Sequence, residues 1–217
     1  PTGETGRYPG AVLRGTNGAV LEIESGAVFD VQDDSDLSVA SGTTATAATV
    51  VNRGTFKKTA DSFGSSINWA FQNTGSVETA GSTGPLDLNG QLIGTDGTPG
   101  VAEGTYRAAG GPLRFFADSS TTFSDGSVLE GDTTLAFRSS VNANTPVRIE
   151  GELDAQGELQ IGGADSTSVT VGSGAALTEL AADALRMGRS GQLRVNTGES
   201  GTPDSVSVGR LRLDPES

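Results

Sequence analysis

The sequence predicts an all-β chain, a single domain over residues 1–217 built as a parallel β-solenoid. Three observations predict it. Glycine is dense, 32 in 217 residues, which leaves no stretch where 3.6-residue helical periodicity survives for long. Large side chains are scarce, with 34% hydrophobic and 5% aromatic residues, so the core must be thin and repetitive. A unit of turn, glycine and alternating apolar residues also recurs along the chain, the mark of stacked repeats. The regular placing of Val, Leu, Ile and Phe separates such a core from disorder.

The units follow one another from the N-terminus. "GAVLEI" (18–23) and "GAVFDV" (26–31) come first, then "NRGTF" (52–56) and "NTGSV" (73–77), which lie 21 residues apart. "GPLDL" (84–88), "GTYRA" (104–108) and "GSVLE" (126–130) continue the series. "GELQI" (157–161), "GAALTEL" (174–180), "GQLRV" (191–195) and "GRLRL" (209–213) complete it, their leading glycines spaced 17, 17 and 18. Glycine supplies the turn at no steric cost, and a preceding Asn, Asp or Ser caps the bend. Beyond the turn, period-2 alternation sets Leu193 and Val195 against Arg194, and Leu211 and Leu213 against Arg212. "LTELAADALRMG" (177–188) is compatible with a short helical turn but reads as a coil with an Ala-rich corner.

Two architectures fit short strands at intervals of 17–22 residues. One is the solenoid, with coils stacked into long parallel sheets and few large rings in a narrow interior. The alternative is an antiparallel β-sandwich. Gly18 to Gly26, and Gly151 to Gly157, are close enough to favour local hairpins, which belong to the sandwich.

The net charge of −13 and an isoelectric point near 4.3 argue against nucleic acid, which needs clustered Lys and Arg. Lysine occurs only at Lys57 and Lys58, read as a gatekeeper pair beside Phe56 that discourages edge pairing. An anionic membrane surface is disfavoured for the same reason, and no apolar run approaches the ~18 residues of a membrane span. Cys and His are absent, which excludes thiol nucleophiles, imidazole bases and the usual zinc sites. No Gly-x-Ser-x-Gly elbow occurs, and the expectation is a protein that is not an enzyme.

Candidate binding residues are few. Glu150, Glu152 and Asp154 alternate with Ile149, Gly151 and Leu153, which would put three acids on one exposed face. With Arg148 they form a possible polysaccharide groove, either a carboxylate pair or a calcium-assisted site. Asp33, Asp34 and Asp36 in "VQDDSDLS" (31–38) offer oxygen ligands for Ca²⁺ but lack the spacing of a calcium loop. Trp69, the single tryptophan, would serve as a carbohydrate-stacking platform if exposed. Alternation with Ile67 and Phe71 favours burial instead.

The stretch "VVNRGTFKKTADSFGSSINWAFQNTGSVETAGSTGPLDLNGQL" (50–92) resembles repeats of very large bacterial surface and adhesin-like proteins. The residues that carry the resemblance are Asn52, Gly54, Phe56, Lys58, Ile67, Phe71, Asn73, Gly75, Val77, Leu86 and Leu88. It covers about a fifth of the chain closely and the flanks loosely. It implies a right-handed parallel β-helix in the exported part of such a protein, located outside the cell on the bacterial surface. The expected role is structural or adhesive: a rigid stalk or contact surface, flanked by neighbouring repeats of the same chain. Its outward partners would be a host-cell, matrix or glycan surface. Beginning at Pro1 and ending at "LDPES", the chain reads as a fragment of a longer repetitive protein. The alternative is a carbohydrate-binding or polysaccharide-cleaving module on the same solenoid.

Overall fold

The computed structural model describes residues 11–16, 18–39, 48–59, 63–81, 84–116, 120–138, 145–150, 152–161, 167–171, 179–187, 192–195 and 205–213. Side chains are described within 11–138, 147–150 and 153–161.

The first three coils carry three strands each, the fourth carries four, and near the C-terminus single long strands turn a corner and serve two faces. The chain begins with β1 (Val12–Gly15), β2 (Val20–Ile23) and β3 (Val28–Val31), then β4 (Asp36–Val39), β5 (Thr49–Asn52) and β6 (Thr55–Lys58). Next come β7 (Ser65–Ile67), β8 (Ala70–Asn73) and β9 (Ser76–Thr79), followed by β10 (Leu86–Leu88), β11 (Leu92–Ile93), β12 (Val101–Ala102) and β13 (Thr105–Ala108). After these lie β14 (Leu113–Phe116), β15 (Thr121–Phe123) and β16 (Val128–Gly131), then β17 (Thr134–Arg138), β18 (Thr145–Ile149) and β19 (Glu152–Ile161). Finally β20 (Thr167–Val171), β21 (Glu179–Met187), β22 (Gln192–Val195) and β23 (Ser205–Leu213) complete the described chain.

All pairings between these strands are parallel, so the fold is a β-solenoid and the antiparallel sandwich is set aside. The first face stacks β1, β4, β7, β10, β14 and β17, continued by the C-terminal parts of β19, β21 and β23. The third face stacks β3, β6, β9, β13 and β16, continued by the N-terminal parts of the same long strands. The second face is two ladders, β2–β5–β8–β11 and β12–β15–β18–β20–β22. The expected hairpin at Gly18–Gly26 is absent, because β2 pairs with β5 and β3 with β6. The one at Gly151–Gly157 is replaced by β19, which runs through a corner and pairs with β16 and then β17. Gly151 itself lies outside the described residues.

Coil length follows from register. Asn52 lies against Asn73, so the 21-residue interval is one coil. Leu159, Leu185 and Leu211 stand in register at intervals of 26. Three glycine spacings of 17–18 between Gly157 and Gly209 therefore span two coils rather than three. Gly174 and Gly191, between them, lie outside the described residues. The Ala-rich segment is β21, bent at a corner between Ala182 and Ala184, where the pairing with β23 skips one residue.

Period-2 alternation sends every second side chain inward, and parallel stacking then sets like against like along the axis. On the first face the inward column runs Leu37, Ile67, Leu88, Phe115, Phe137, Ile161. On the third it runs Phe29, Phe56, Val77, Tyr106, Leu129, Leu153. All but the half-buried Phe29 are buried. Rings enter this narrow interior because they stack on successive rungs: Phe29 on Phe56 at 5.3 Å, Phe115 on Phe137 at 5.3 Å. Each such side chain contributes roughly 1.5–3 kcal/mol of burial. Stability thus accumulates rung by rung along the axis.

The corners use small residues because backbone stacks on backbone there. Gly54, Gly75 and Gly104 form one such column: the Gly54 carbonyl accepts from Ser76 N and the Gly75 carbonyl from Thr105 N. A Cβ on Gly75 would lie 2.0 Å from the Gly54 oxygen.

Candidate functional site

Alternation that turns Phe56 inward also turns Lys58 inward, and Lys58 is fully buried. Its Nζ donates to the Asp33 carbonyl at 2.7 Å and lies 3.2 Å from Ser65 Oγ, tying the third-face corner to the turn between β3 and β4. Lys57 points outward beside Asp30, at 3.8 Å. The two lysines are therefore not a gatekeeper pair; one is an internal strut. Their position two residues and one residue beyond Phe56 carried that signal.

Two of the three acids at 33–36 accept hydrogen bonds from backbone amides. Asp33 Oδ1 accepts from Ser35 N at 2.9 Å, and Asp36 Oδ1 accepts from Ser66 N at 2.7 Å on the next rung. Among the described residues, no group of three or more carboxylates converges as a metal-ligand set.

Trp69 is 3% exposed and presents no indole face to solvent. It packs under Ala48 and Gly15, where a Cβ on Gly15 would come within 2.6 Å of the ring. Its Nε1 donates to the Ser38 carbonyl at 2.8 Å, as a buried indole requires.

The acids at 150–154 are split by a corner. Arg148 is exposed on β18 of the second face, 3.6 Å from Glu150. The Glu150 amide donates to the Phe123 carbonyl at the end of that face. Asp154 belongs to β19 on the third face, and the Glu152 side chain lies outside the described ones. The single-face row fails because alternation does not carry across a bend between strands.

Register creates a charged column that linear reading misses. On the third face the outward positions run Asp30, Lys57, Glu78, Arg107, Glu130, Asp154. Signs alternate as far as Glu130, with Arg107 Nε 3.5 Å from Glu130. Asp154 breaks the pattern. On the first face Arg114 forms a two-point pair with Asp87 on the preceding rung, Nη2 to Oδ2 at 2.8 Å. Burial pushes the Asp87 carboxyl above its ordinary value, against the pull of Arg114. These pairs hold register and cover the rod with charge, each worth ~0.2–1 kcal/mol.

The stack has one dislocation among the described residues. The second-face ladder stops at β11 and resumes at β12 in the same coil, with the loop 94–100 between them. Beside it a cleft of about 230 Å³ opens over Phe115, Phe123 and Phe137, with Asn89, Gln91 and Phe116 at its rim. In comparisons with known proteins, no family model, no curated protein and no solved structure matches this chain.

Proposed function

We propose that the chain is a structural, adhesive segment of a bacterial extracellular surface protein, serving as a rigid stalk or contact surface. The observation that carries this reading is the rung-on-rung parallel stacking on three faces, apolar inside and charged outside. Such a body lengthens by about 4.8 Å with each added coil, and reach is what a stalk supplies. The resemblance of residues 50–92 to adhesin-like repeats supports the same reading. At the first described rung, Val12, Leu13, Val20 and Val28 are exposed, the surface that a neighbouring repeat of similar construction would cover.

The test couples two measurements. Beads coated with the protein are expected to adhere to cell, matrix or glycan surfaces and to bear load in single-molecule pulling without unfolding at low force. A polysaccharide turnover screen is expected to find no cleavage, and cleavage overturns the reading. The carbohydrate-active alternative keeps exposed Arg148 beside Glu150 but loses the stacking platform with the burial of Trp69.

A further inference from the structure

The long strands β19, β21 and β23 each turn a corner, and their two halves differ in charge. The third-face halves hold Glu152, Asp154 and Glu179 and no cation. Past the corner, the first-face halves hold Arg186, Arg210 and Arg212, with Glu158 the one acid. In a chain of net charge −13 this is a local reversal of sign.

Register sharpens the reversal. Leu185 and Leu211 continue the line of buried Leu159, and Met187 and Leu213 that of buried Ile161. Positions 186 and 212 alternate with those inward lines, in the column that runs through Asp87, Arg114, Ala136 and Gln160. Arg186 is the register partner of Arg212, and Arg210 is two residues away on the same strand. Earlier in that column Arg114 is answered by Asp87, and on the third face Arg107 is answered by Glu78 and Glu130. Among the described register pairs, Arg186 with Arg212 is the one that sets cation against cation.

Like charges on adjacent rungs repel, and an anion shared between them removes that cost. A guanidinium takes carboxylate or sulfate oxygens in a two-point fork, so small oxyanions are the matching groups. Rungs repeat at about 4.8 Å, which strings positions 186 and 212 along the rod axis rather than around it. A polymer that carries single oxyanions on its successive units fits such a line. Nucleic acid fits less well, because its dense phosphate charge needs more cations and is repelled by the acidic surface elsewhere.

We infer that the first face of β21 and β23, where register sets Arg186 beside Arg212 and Arg210, binds an anionic polysaccharide through its carboxylate or sulfate groups. The inference rests on the adhesive reading only in placing that polymer on an extracellular surface.

The test is binding of the 217-residue chain to polygalacturonate, dextran sulfate and plain dextran, followed by biolayer interferometry. Saturable binding to one or both anionic polymers is expected, with none to dextran and loss of binding at about 0.5 M salt. Polygalacturonate alone assigns the surface to carboxylates, and dextran sulfate alone assigns it to sulfates. Arg186→Gln and Arg212→Gln are each expected to weaken binding about tenfold, with Arg107→Gln on the third face unchanged. The inference is overturned if neither anionic polymer binds, since the arginines are then neutralised within the chain. It is equally overturned if plain dextran binds as tightly, if Arg107→Gln costs as much as Arg212→Gln, or if duplex DNA binds more tightly than both polysaccharides. The salt and dextran arms use the wild type, so they stand even if a variant fails to fold. Coated beads that still adhere to cells while both polymers fail would sink this inference alone and leave the adhesive reading standing.

Discussion

Asn52 and Asn73 stand on successive rungs, and Asn52 Nδ2 donates to Asn73 Oδ1 at 2.7 Å inside the corner between the second and third faces. Each is 1% exposed. Asn52 Nδ2 also reaches the Ser76 carbonyl at 2.8 Å, and Asn73 Nδ2 reaches the carbonyls of Glu103 and Thr105 at 3.1 and 3.3 Å. The Asn-x-Gly repeat is thus a two-step ladder that satisfies corner carbonyls one rung ahead. Replacing Asn73 with Ala removes its bonds to the Glu103 and Thr105 carbonyls and leaves Asn52 Nδ2 without its Asn73 acceptor. The expected loss is about 2 kcal/mol in urea unfolding, with an unchanged m-value. A loss below ~0.5 kcal/mol would show that the ladder is incidental.

Gly75 and Gly26 separate two reasons for a glycine. At Gly75 an added methyl meets the Gly54 backbone oxygen at 2.0 Å, so rungs must part. Gly26 has φ of 80° with nothing within 4 Å of an added Cβ, so only its conformation resists substitution. Gly75→Ala is expected to cost more than ~3 kcal/mol and Gly26→Ala about 1–2 kcal/mol. Paired thermal melts of the two variants read the difference directly.

Asp154 sits opposite Glu130 in the outward column of the third face, where the alternation of sign calls for a cation. Asp154→Lys is expected to stabilise by about 0.5–1 kcal/mol, through removal of a like-charge pair and gain of an opposite one. Raising salt to 1 M is expected to abolish most of the gain, because the pair faces solvent. A gain insensitive to salt would point to a different cause.

Tyr106 is fully buried, and burial pushes its phenol well above the ordinary value of 10.0, with the Asn73 side chain pulling it back only in part. Its hydroxyl makes no hydrogen bond of normal geometry. A raised acid pKa means the folded state holds the proton that the unfolded state releases. Its contribution is therefore fully present below pH 10 and is lost as pH rises above it. Tyr106→Phe is expected to remove that alkaline loss and to raise stability near neutrality by ~1 kcal/mol, as an unpaired hydroxyl leaves the core. Unfolding free energies of both proteins between pH 7 and about 11 check the sign.

Most of the architecture was legible from local chemistry. Gly-x-apolar placed the corners, and alternation correctly buried Phe56, Ile67, Trp69, Phe71 and Val77. The same rule, followed two residues further, buries Lys58, although composition suggested a surface role. Less was legible of the candidate sites. The row from Glu150 to Asp154 fails because a bend cancels the face relation within three residues. The break in the second-face ladder depends on where the loop 94–100 returns, a matter of backbone bonding that side-chain pattern does not encode.

By itself the sequence determined that the chain is all-β, with glycine corners and a thin apolar interior, because side-chain period and turn chemistry act over a few residues. Tertiary structure decided which residues stand side by side across 21 to 29 positions: the asparagine ladder, the alternating charges and the dislocation. Stacking in register is a relation between coils, and coil length varies with corners whose geometry only the packed neighbours fix.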